Sequence, residues 1–114
     1  MSSEIPESDG RRFKEIRAKA EERYCRRILE EVAAIVSGEV ARIAYNRYLK
    51  VYKWIQERDD QMAKAFDDLR RSTAVMQLGI MRRMKLLTDE DLGLFSERTR
   101  TRIVLRELPR YEVV

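Results

Sequence analysis

The sequence predicts an all-α protein whose long amphipathic helices form a helical bundle or a coiled-coil-like oligomer. Charged residues make up 39% of the 114 residues and hydrophobic residues 44%, with only 4 Gly and 2 Pro, a composition typical of long solvated helices. The stretch 39–87 contains no Pro and a single glycine, Gly79. Apolar residues recur there at spacings of three and four, which is the pattern of a helix with one buried stripe.

Residues 1–10 are expected to form a flexible arm, because they combine a proline and a glycine with three serines and three acidic residues. Ser8 or Asp9 is a candidate N-cap for the helix that follows. That first helix is predicted over 11–36, where the apolar side chains keep helical spacing. It begins a single helical domain predicted to span 11–108.

Ser37 and Gly38 form the predicted turn after this helix. Gly readily adopts the left-handed conformation of a helix C-cap, and Ser can cap a following helix. The apolar stripe nevertheless continues in phase from Val36 to Val40. Because Gly inside a helix costs only about 1 kcal/mol relative to Ala, one helix running through Gly38 is the alternative.

A helix over 39–87 is the central prediction. At 1.5 Å per residue it would be about 70 Å long, whereas a compact domain of this size has a radius of gyration near ~13 Å. Such a helix needs another chain to cover its stripe, so we expect a homo-oligomer or a partner's helix. The expected interface residues are Tyr48, Val51, Ile55, Met62, Phe66, Leu69, Met76, Ile80 and Met84.

One segment of this helix, 56–61, has no apolar side chain and places Arg58 in the stripe. A helical hairpin is therefore the alternative, with Asp59 or its neighbour capping a new helix. The heptad register from Ile55 to Met62 is kept without Gly or Pro, which favours one continuous helix.

Two shorter helices are predicted near the C-terminus. Thr88 and Asp91 have the spacing of a capping box, which predicts a helix over 89–94. Ser96 is the expected N-cap of a helix over 97–108, which the following proline ends.

Residues 98–106 also show a strand pattern, since arginine alternates with threonine before a β-branched run. A helix is favoured because the flanking elements are helical and Ser96 is a good cap. Residues 109–114 are expected to form a short tail.

The sequence lacks the residues that most enzymes use. It has no His, the commonest general base and metal ligand. Its single cysteine, Cys25, excludes an intrachain disulfide and a Cys-based zinc site. Flanking arginines could lower the pKa of its thiol, but a small apolar residue on a helix face is the favoured interpretation. Neighbouring aspartates on a helix point about 100° apart, so we predict no catalytic residue, metal ion or cofactor.

The function expected from these patterns is that of a non-enzymatic assembly or interaction protein. We expect a homo-oligomer that acts as a scaffold, an adaptor or a subunit of a larger complex. A cytoplasmic location is expected, since the N-terminus is polar and no apolar run approaches the roughly 18 residues of a membrane span. The alternative is a helical protein that contacts the phosphate backbone of nucleic acid, suggested by the net charge of +4. The candidate contacts to nucleic acid or to an acidic partner are Arg47, Lys50, Lys53, Trp54, Arg98, Arg100 and Arg102.

Overall fold

The computed structural model describes residues 4–38, 43–68 and 70–107. Within these ranges the chain forms helices and no strand, which confirms the predicted all-α class. The helices are α1 (Glu7–Val36), α2 (Ala44–Phe66), α3 (Ala74–Arg83), α4 (Asp89–Gly93) and α5 (Glu97–Glu107). The predicted tail at 109–114 lies outside the described residues.

The start of the chain packs against the rest of the protein, so the prediction of a flexible N-terminal segment is wrong for residues 5–10. Ile5 is buried in the core, and α1 begins at Glu7 after Pro6. Asp9 is not the cap of α1, because its carboxylate instead accepts hydrogen bonds from the backbone N–H and the hydroxyl of Ser96. Tertiary contacts with α5 thus extend α1 by one turn beyond the sequence prediction.

The predicted turn at Gly38 is confirmed. Gly38 has a φ of 84°, in the left-handed region where a side chain is unfavourable. Its N–H donates to the carbonyl of Ile35, and the N–H of Ser37 donates to the carbonyl of Ala33, so the last carbonyls of α1 are satisfied at the turn.

The single helix predicted over 39–87 is wrong, because the chain leaves the helix after Phe66 and re-enters it at Ala74. Segment 56–61 lies inside α2, so that part of the continuity prediction holds. The break comes where Phe66 is buried in the core and the Asp68 carboxylate accepts hydrogen bonds from the backbone and guanidinium of Arg70. Such local side-chain hydrogen bonds offer the backbone an alternative to the helix.

The end of α3 is a Schellman motif built on a lysine. Lys85 has a φ of 61°, and its N–H donates to the carbonyl of Arg82. The N–H of Leu86 donates to the carbonyl of Met81 at 2.9 Å, the second bond of this motif. The chain therefore reverses direction before Thr88, where no glycine marks the turn.

Both predicted C-terminal helices are present. Thr88 and Asp91 form a capping box, with each side chain accepting from the other's backbone N–H. The predicted helix rather than strand is confirmed for 98–106, which lies within α5. Ser96 supports the first turn of α5, since its hydroxyl accepts from the N–H of Thr99 at 3.4 Å.

The core lies at one end of the molecule. Apart from Ile35, the buried residues of α1 fall between Asp9 and Tyr24, and those of α2 are Ala65 and Phe66. They pack with α3–α5 into one cluster, which we call the body. Residues 29–36 of α1 and 44–58 of α2 extend from the body, and we call this part the arm. The radius of gyration of 17.0 Å exceeds the ~13 Å of a compact chain of this length.

Candidate interaction surface

The arm is a helical hairpin whose two helices run antiparallel. Tyr24 donates from its hydroxyl to Gln61 Oε1 at 2.7 Å, and Arg58 pairs with Glu31 at 3.4 Å. Closer to the body, the Arg17 guanidinium donates to the carbonyl of Phe66 at the C-terminus of α2. Residue numbers thus rise along α1 while those of their partners fall along α2, which defines the pairing of the arm's two helices.

Trp54 is part of this helix–helix contact. The guanidinium carbon of Arg58 lies 4.0 Å from the centre of the Trp54 ring, within range of a cation–π interaction. The Trp54 Nε1 atom is buried and has no hydrogen-bond partner among the described residues. The ring therefore fills space within the hairpin, and its stacked face is not available to a nucleic-acid base.

Large apolar side chains remain exposed along the arm. Leu29 is 68% exposed and Val36 59% on α1, and the tyrosines at 45, 48 and 52 are 53–65% exposed on α2. Exposed apolar residues are common singly, but monomeric proteins rarely present several together in one patch. We call this set the arm face, and its members are Leu29, Val36, Tyr45, Tyr48, Tyr52 and Ile55.

On α1, the arm-face residues directly follow residues that are covered. Leu29 comes one position after Ile28, which packs on the core, and Val36 one position after buried Ile35. One residue on an α-helix corresponds to a rotation of 100°. The exposed stripe of α1 is therefore turned by that angle from the side that faces α2.

The same step occurs on α2. Tyr48, Tyr52 and Ile55 each come one position after a half-buried residue, namely Arg47, Val51 and Trp54. Because the two helices are antiparallel, an equal rotation in the same sense brings both exposed stripes to the same side of the hairpin. Leu29, Val36 and the tyrosines thus form one apolar surface that is two helices wide.

The opposite side of the arm is polar. A residue one position before a covered one is rotated the other way and therefore lies on this opposite side. The exposed residues in such positions include Glu30 on α1 and Asn46, Lys50 and Lys53 on α2. Positive and negative side chains are mixed there, since exposed Glu57 precedes half-buried Arg58 and borders the same shallow depression as Lys53. The arm is therefore amphipathic as a whole, with one apolar side and one solvated side.

Carboxylates mark the end of the arm face nearest the body. Val36, Leu29 and Glu22 follow each other at seven-residue intervals on α1. Tyr45, Tyr52 and Asp59 do the same on α2. Glu22 and Asp59 are both exposed, so each apolar row ends in an acidic residue at the body and in an apolar residue at the tip.

The residues predicted as one interface are divided by the fold. Tyr48 and Ile55 lie on the arm face and Met76 is exposed on α3, while Val51 is half-buried within the hairpin. Phe66 is in the core, and Leu69 lies outside the described residues. Three others pack partly buried against the core, namely Met62, Ile80 and Met84.

Four residues of the arm face were not among the predicted interface residues. Tyr45 and Tyr52 share a helix face with Tyr48 in the sequence and lie seven residues apart. Leu29 and Val36 also lie seven residues apart, on α1. The seven-residue spacing within each pair is the signal that points to a second exposed row.

Many arginines bind backbone carbonyls at helix ends. Arg23 and Arg27 of α1 donate to the carbonyls of Leu86 and Met84, both at 2.8 Å. These carbonyls follow the C-terminus of α3, where a cation is favoured by the unpaired acceptors and the helix dipole. Several arginines therefore stabilise the chain's own fold.

Arg23 also forms an ion pair with Asp91 at 2.5 Å. Burial alone would raise the pKa of the Asp91 carboxyl, but hydrogen bonds from Arg23 and from the Thr88 backbone and hydroxyl outweigh it and lower the pKa below its ordinary value. The acidic residues that open α4 thus serve its cap and its contact with α1.

The three alternating arginines of α5 do not form one basic surface. Arg98 and Arg102 border a cavity of about 370 Å³ with Glu4 and Ile5. Arg100 borders a different, shallow groove with Leu92 and Val104. Alternate residues share a face in a strand but lie about 160° apart in a helix, so the helix separates them.

The other candidate nucleic-acid contacts are also divided. Lys50 and Lys53 are exposed on the polar side of the arm, while Arg47 is half-buried and Trp54 is stacked under Arg58. The structure thus brings together Lys50 and Lys53 from this set and separates them from the arginines of α5.

Cys25 has no activating environment. Burial, together with the nearby carboxylates of Glu21 and Glu22, raises the pKa of its thiol. The neighbouring arginines are used elsewhere, since Arg26 pairs with Glu22 at 3.3 Å and Arg23 reaches α4. The interpretation of Cys25 as a small residue on a helix face agrees with these contacts.

The chain matches no known protein family, and no curated protein or solved structure is detectably similar to it. In the parts of the chain that the structure describes, no helix has the length and apolar character needed to cross a bilayer. Across the same three ranges, no cluster of three or more Cys, Asp or Glu side chains is arranged to hold a metal ion.

Proposed function

We propose that this chain is a non-enzymatic helical assembly protein that associates with itself or with another helical protein through the arm face. The observation that supports the proposal is the single two-helix-wide apolar surface formed by Leu29, Val36, the three tyrosines and Ile55. Aromatic residues are enriched at protein interfaces because they bury much area and can also use their hydroxyl groups.

The body supports this proposal because it has a covered core of its own within the described residues. Phe13, Ile16 and Phe66 are almost fully buried, and the ends of α2 and α3 are capped by arginines of α1. The arm contributes little to this core. Its apolar side chains therefore serve association better than they serve the stability of the single chain.

Binding to the phosphate backbone of nucleic acid is the alternative proposal. It needs a surface where several cations act together, and Lys50 and Lys53 are the candidate pair on the arm. Nearby carboxylates and the separation of the α5 arginines weaken this alternative in comparison with association through the arm face.

Size-exclusion chromatography with light scattering, read at 260 and 280 nm in low and high salt, distinguishes the two proposals. We expect a discrete oligomer with no excess absorbance at 260 nm and a mass that does not depend on salt, because apolar contacts are not screened. Bound material that absorbs at 260 nm and is removed by salt would support nucleic-acid binding instead. A monomer at every concentration, with no partner helix bound, would contradict the assembly proposal.

Paired variants assign the association to the arm face. Tyr52→Glu places a charge in the centre of the face, whereas Leu105→Glu places the same charge at another exposed apolar residue, which is 61% exposed on α5. We expect Tyr52→Glu alone to shift the mass to that of one chain, with the helical circular dichroism of both variants unchanged. Equal dissociation of the two variants would place the interface elsewhere.

A further inference from the structure

We infer that the arm face binds a second copy of this chain, with the two arms packed antiparallel about a two-fold axis that passes between the paired Leu29 and the paired Tyr52 side chains. This inference rests on the proposed function and adds the identity and orientation of the partner. In this arrangement α1 packs on α1 of the second copy and α2 packs on its α2, which makes a four-helix bundle.

The shape and size of the arm face fit a second copy. A layer of two helices cannot enclose a core by itself, and a second layer of two helices completes a four-helix bundle. The exposed side chains of the arm face offer on the order of 700–800 Å² for burial, given the size of tyrosine and aliphatic side chains. A standard interface buries about 800 Å² on each partner, so one copy supplies a surface of matching extent.

The charges at the end of the face determine the orientation. Glu22 and Asp59 both lie at the body end of their rows, as described above. Parallel arms would bring Asp59 of each copy to the same end as Glu22 of the other, which is unfavourable, and the Arg26 partner of Glu22 offsets only part of this repulsion. Antiparallel arms place Asp59 of one copy beside Tyr45 of the other, where the phenol hydroxyl can donate to the carboxylate.

The seven-residue spacing gives the same register on both helices if Leu29 and Tyr52 lie at the same level of the arm. If Tyr52 lies at the two-fold axis, Tyr45 and Asp59 are each seven residues from it and face each other across the interface. If Leu29 lies at the same axis, Val36 and Glu22 are each seven residues from it and also face each other across the interface. Antiparallel arms also set the two bodies at opposite ends of the bundle, where they do not collide.

Disulfide cross-linking tests this orientation. In a Cys25→Ser background, Tyr52→Cys and Leu29→Cys are oxidised separately and as a mixture, since a disulfide needs Cα atoms about 4.4–6.8 Å apart. The antiparallel arrangement predicts that each variant forms cross-linked dimers with itself. A parallel two-fold arrangement places α1 over the second copy's α2, so cross-links would form only in the mixture. Leu105→Cys in the same background, outside the arm face, is the control that reports random collision.

Charge exchange provides a second test that does not require a disulfide. We expect Tyr45→Glu to weaken dimerisation at least 10-fold, because it faces Asp59, and the double variant Tyr45→Glu with Asp59→Arg to recover most of the loss. Both positions are exposed in the single chain, so helical content serves as the folding control. Dimerisation constants come from sedimentation equilibrium.

The outcomes separate this inference from the proposed function. A dimer that cross-links only in the mixture, or that the double variant fails to restore, overturns the antiparallel arrangement but keeps assembly through the arm face. A monomer that forms a complex only with a different helical protein overturns the second copy as the partner. Loss of every association, with no cross-link above the Leu105→Cys control, contradicts both proposals.

Discussion

Arg58 covers the ring of Trp54 at 4.0 Å and at the same time pairs with Glu31 across the arm at 3.4 Å. One side chain thus links a cation–π contact within α2 to an ion pair between α2 and α1. From the sequence alone, Arg58 looked like the weak point of the apolar stripe. In the fold it occupies the place where the two helices of the arm meet.

Replacing Arg58 by Ala should therefore destabilise the protein by about 1–2 kcal/mol, through loss of the cation–π contact and of packing by its aliphatic stem. Arg58→Lys should cost less, because it keeps the charge but not the planar stacking. Urea unfolding followed by the fluorescence of Trp54, the one tryptophan of the chain, measures both effects. Unchanged midpoints in both variants would show that the contact contributes nothing.

Asp9 should make the stability of the fold depend on pH in the acidic range. Burial alone would raise the pKa of its carboxyl, but hydrogen bonds from Ser96 and Thr99 outweigh it, so the folded pKa lies below the ordinary value of 3.8. The ionised form therefore stabilises the fold above about pH 4, and this stability is lost as the pH falls through the folded pKa. Asp9→Asn should cost about 2–3 kcal/mol at pH 7, because one carboxylate oxygen becomes an amide NH2 that cannot accept from the Ser96 and Thr99 hydroxyls, and the remaining bonds lose their charge.

The measurement is urea unfolding between pH 7 and pH 2. Asp9→Asn should flatten the acid limb of the stability curve, and the exposed Asp60→Asn is the matched control. A variant that loses stability in parallel with the parent across the whole pH range would contradict the role of the Asp9 carboxylate.

Gly79 should not tolerate a methyl group. A Cβ atom at this position would lie 2.5 Å from the Cβ of Arg106, so α3 and α5 would have to move apart. Gly→Ala inside a helix usually stabilises by about 1 kcal/mol, but here overpacking should reverse the sign and cost about 1–3 kcal/mol. Gly93→Ala is the matched control, since among the described residues no atom outside its own helix backbone and chain neighbours lies within 4 Å of its added Cβ. Thermal unfolding measures both effects. A lower midpoint for Gly79→Ala with a higher midpoint for Gly93→Ala would confirm the close approach, and equal shifts of the two midpoints would contradict it.

Lys85 is a site where glycine should improve the protein. Its φ of 61° lies in the left-handed region, which costs a residue with a side chain roughly 1 kcal/mol. Lys85→Gly should therefore raise the free energy of unfolding by about 0.5–1 kcal/mol, since glycine is the preferred residue at this position of a Schellman motif. Lys85→Ala separates the loss of the lysine side chain from the gain in backbone freedom. A glycine variant no more stable than the alanine variant would contradict this account.

Local patterns in the sequence were sufficient for the elements that depend on neighbouring residues. The turn at Gly38, the capping box of Thr88 and Asp91, and the helix after Ser96 each rest on contacts within a few residues. Helical periodicity was likewise enough to predict the all-α class. These features were predictable because short-range hydrogen bonds and the period of 3.6 residues are written directly in the order of the residues.

Long-range contacts decided the rest. A continuous apolar stripe extends through Phe66 and Met76, and no Gly or Pro marks the break. Besides the local hydrogen bonds of Asp68, burial of Phe66 in the body and the Arg17 cap on its carbonyl favour the break. The first turn of α1 at Asp9 depends on Ser96 and Thr99, about 90 residues away in the chain. The arm face depends on two helices meeting so that their exposed rows lie on one side. The sequence determined which residues form helices with apolar stripes, and only the tertiary structure decided which stripes are covered, because burial depends on what packs against a helix and not on its own period.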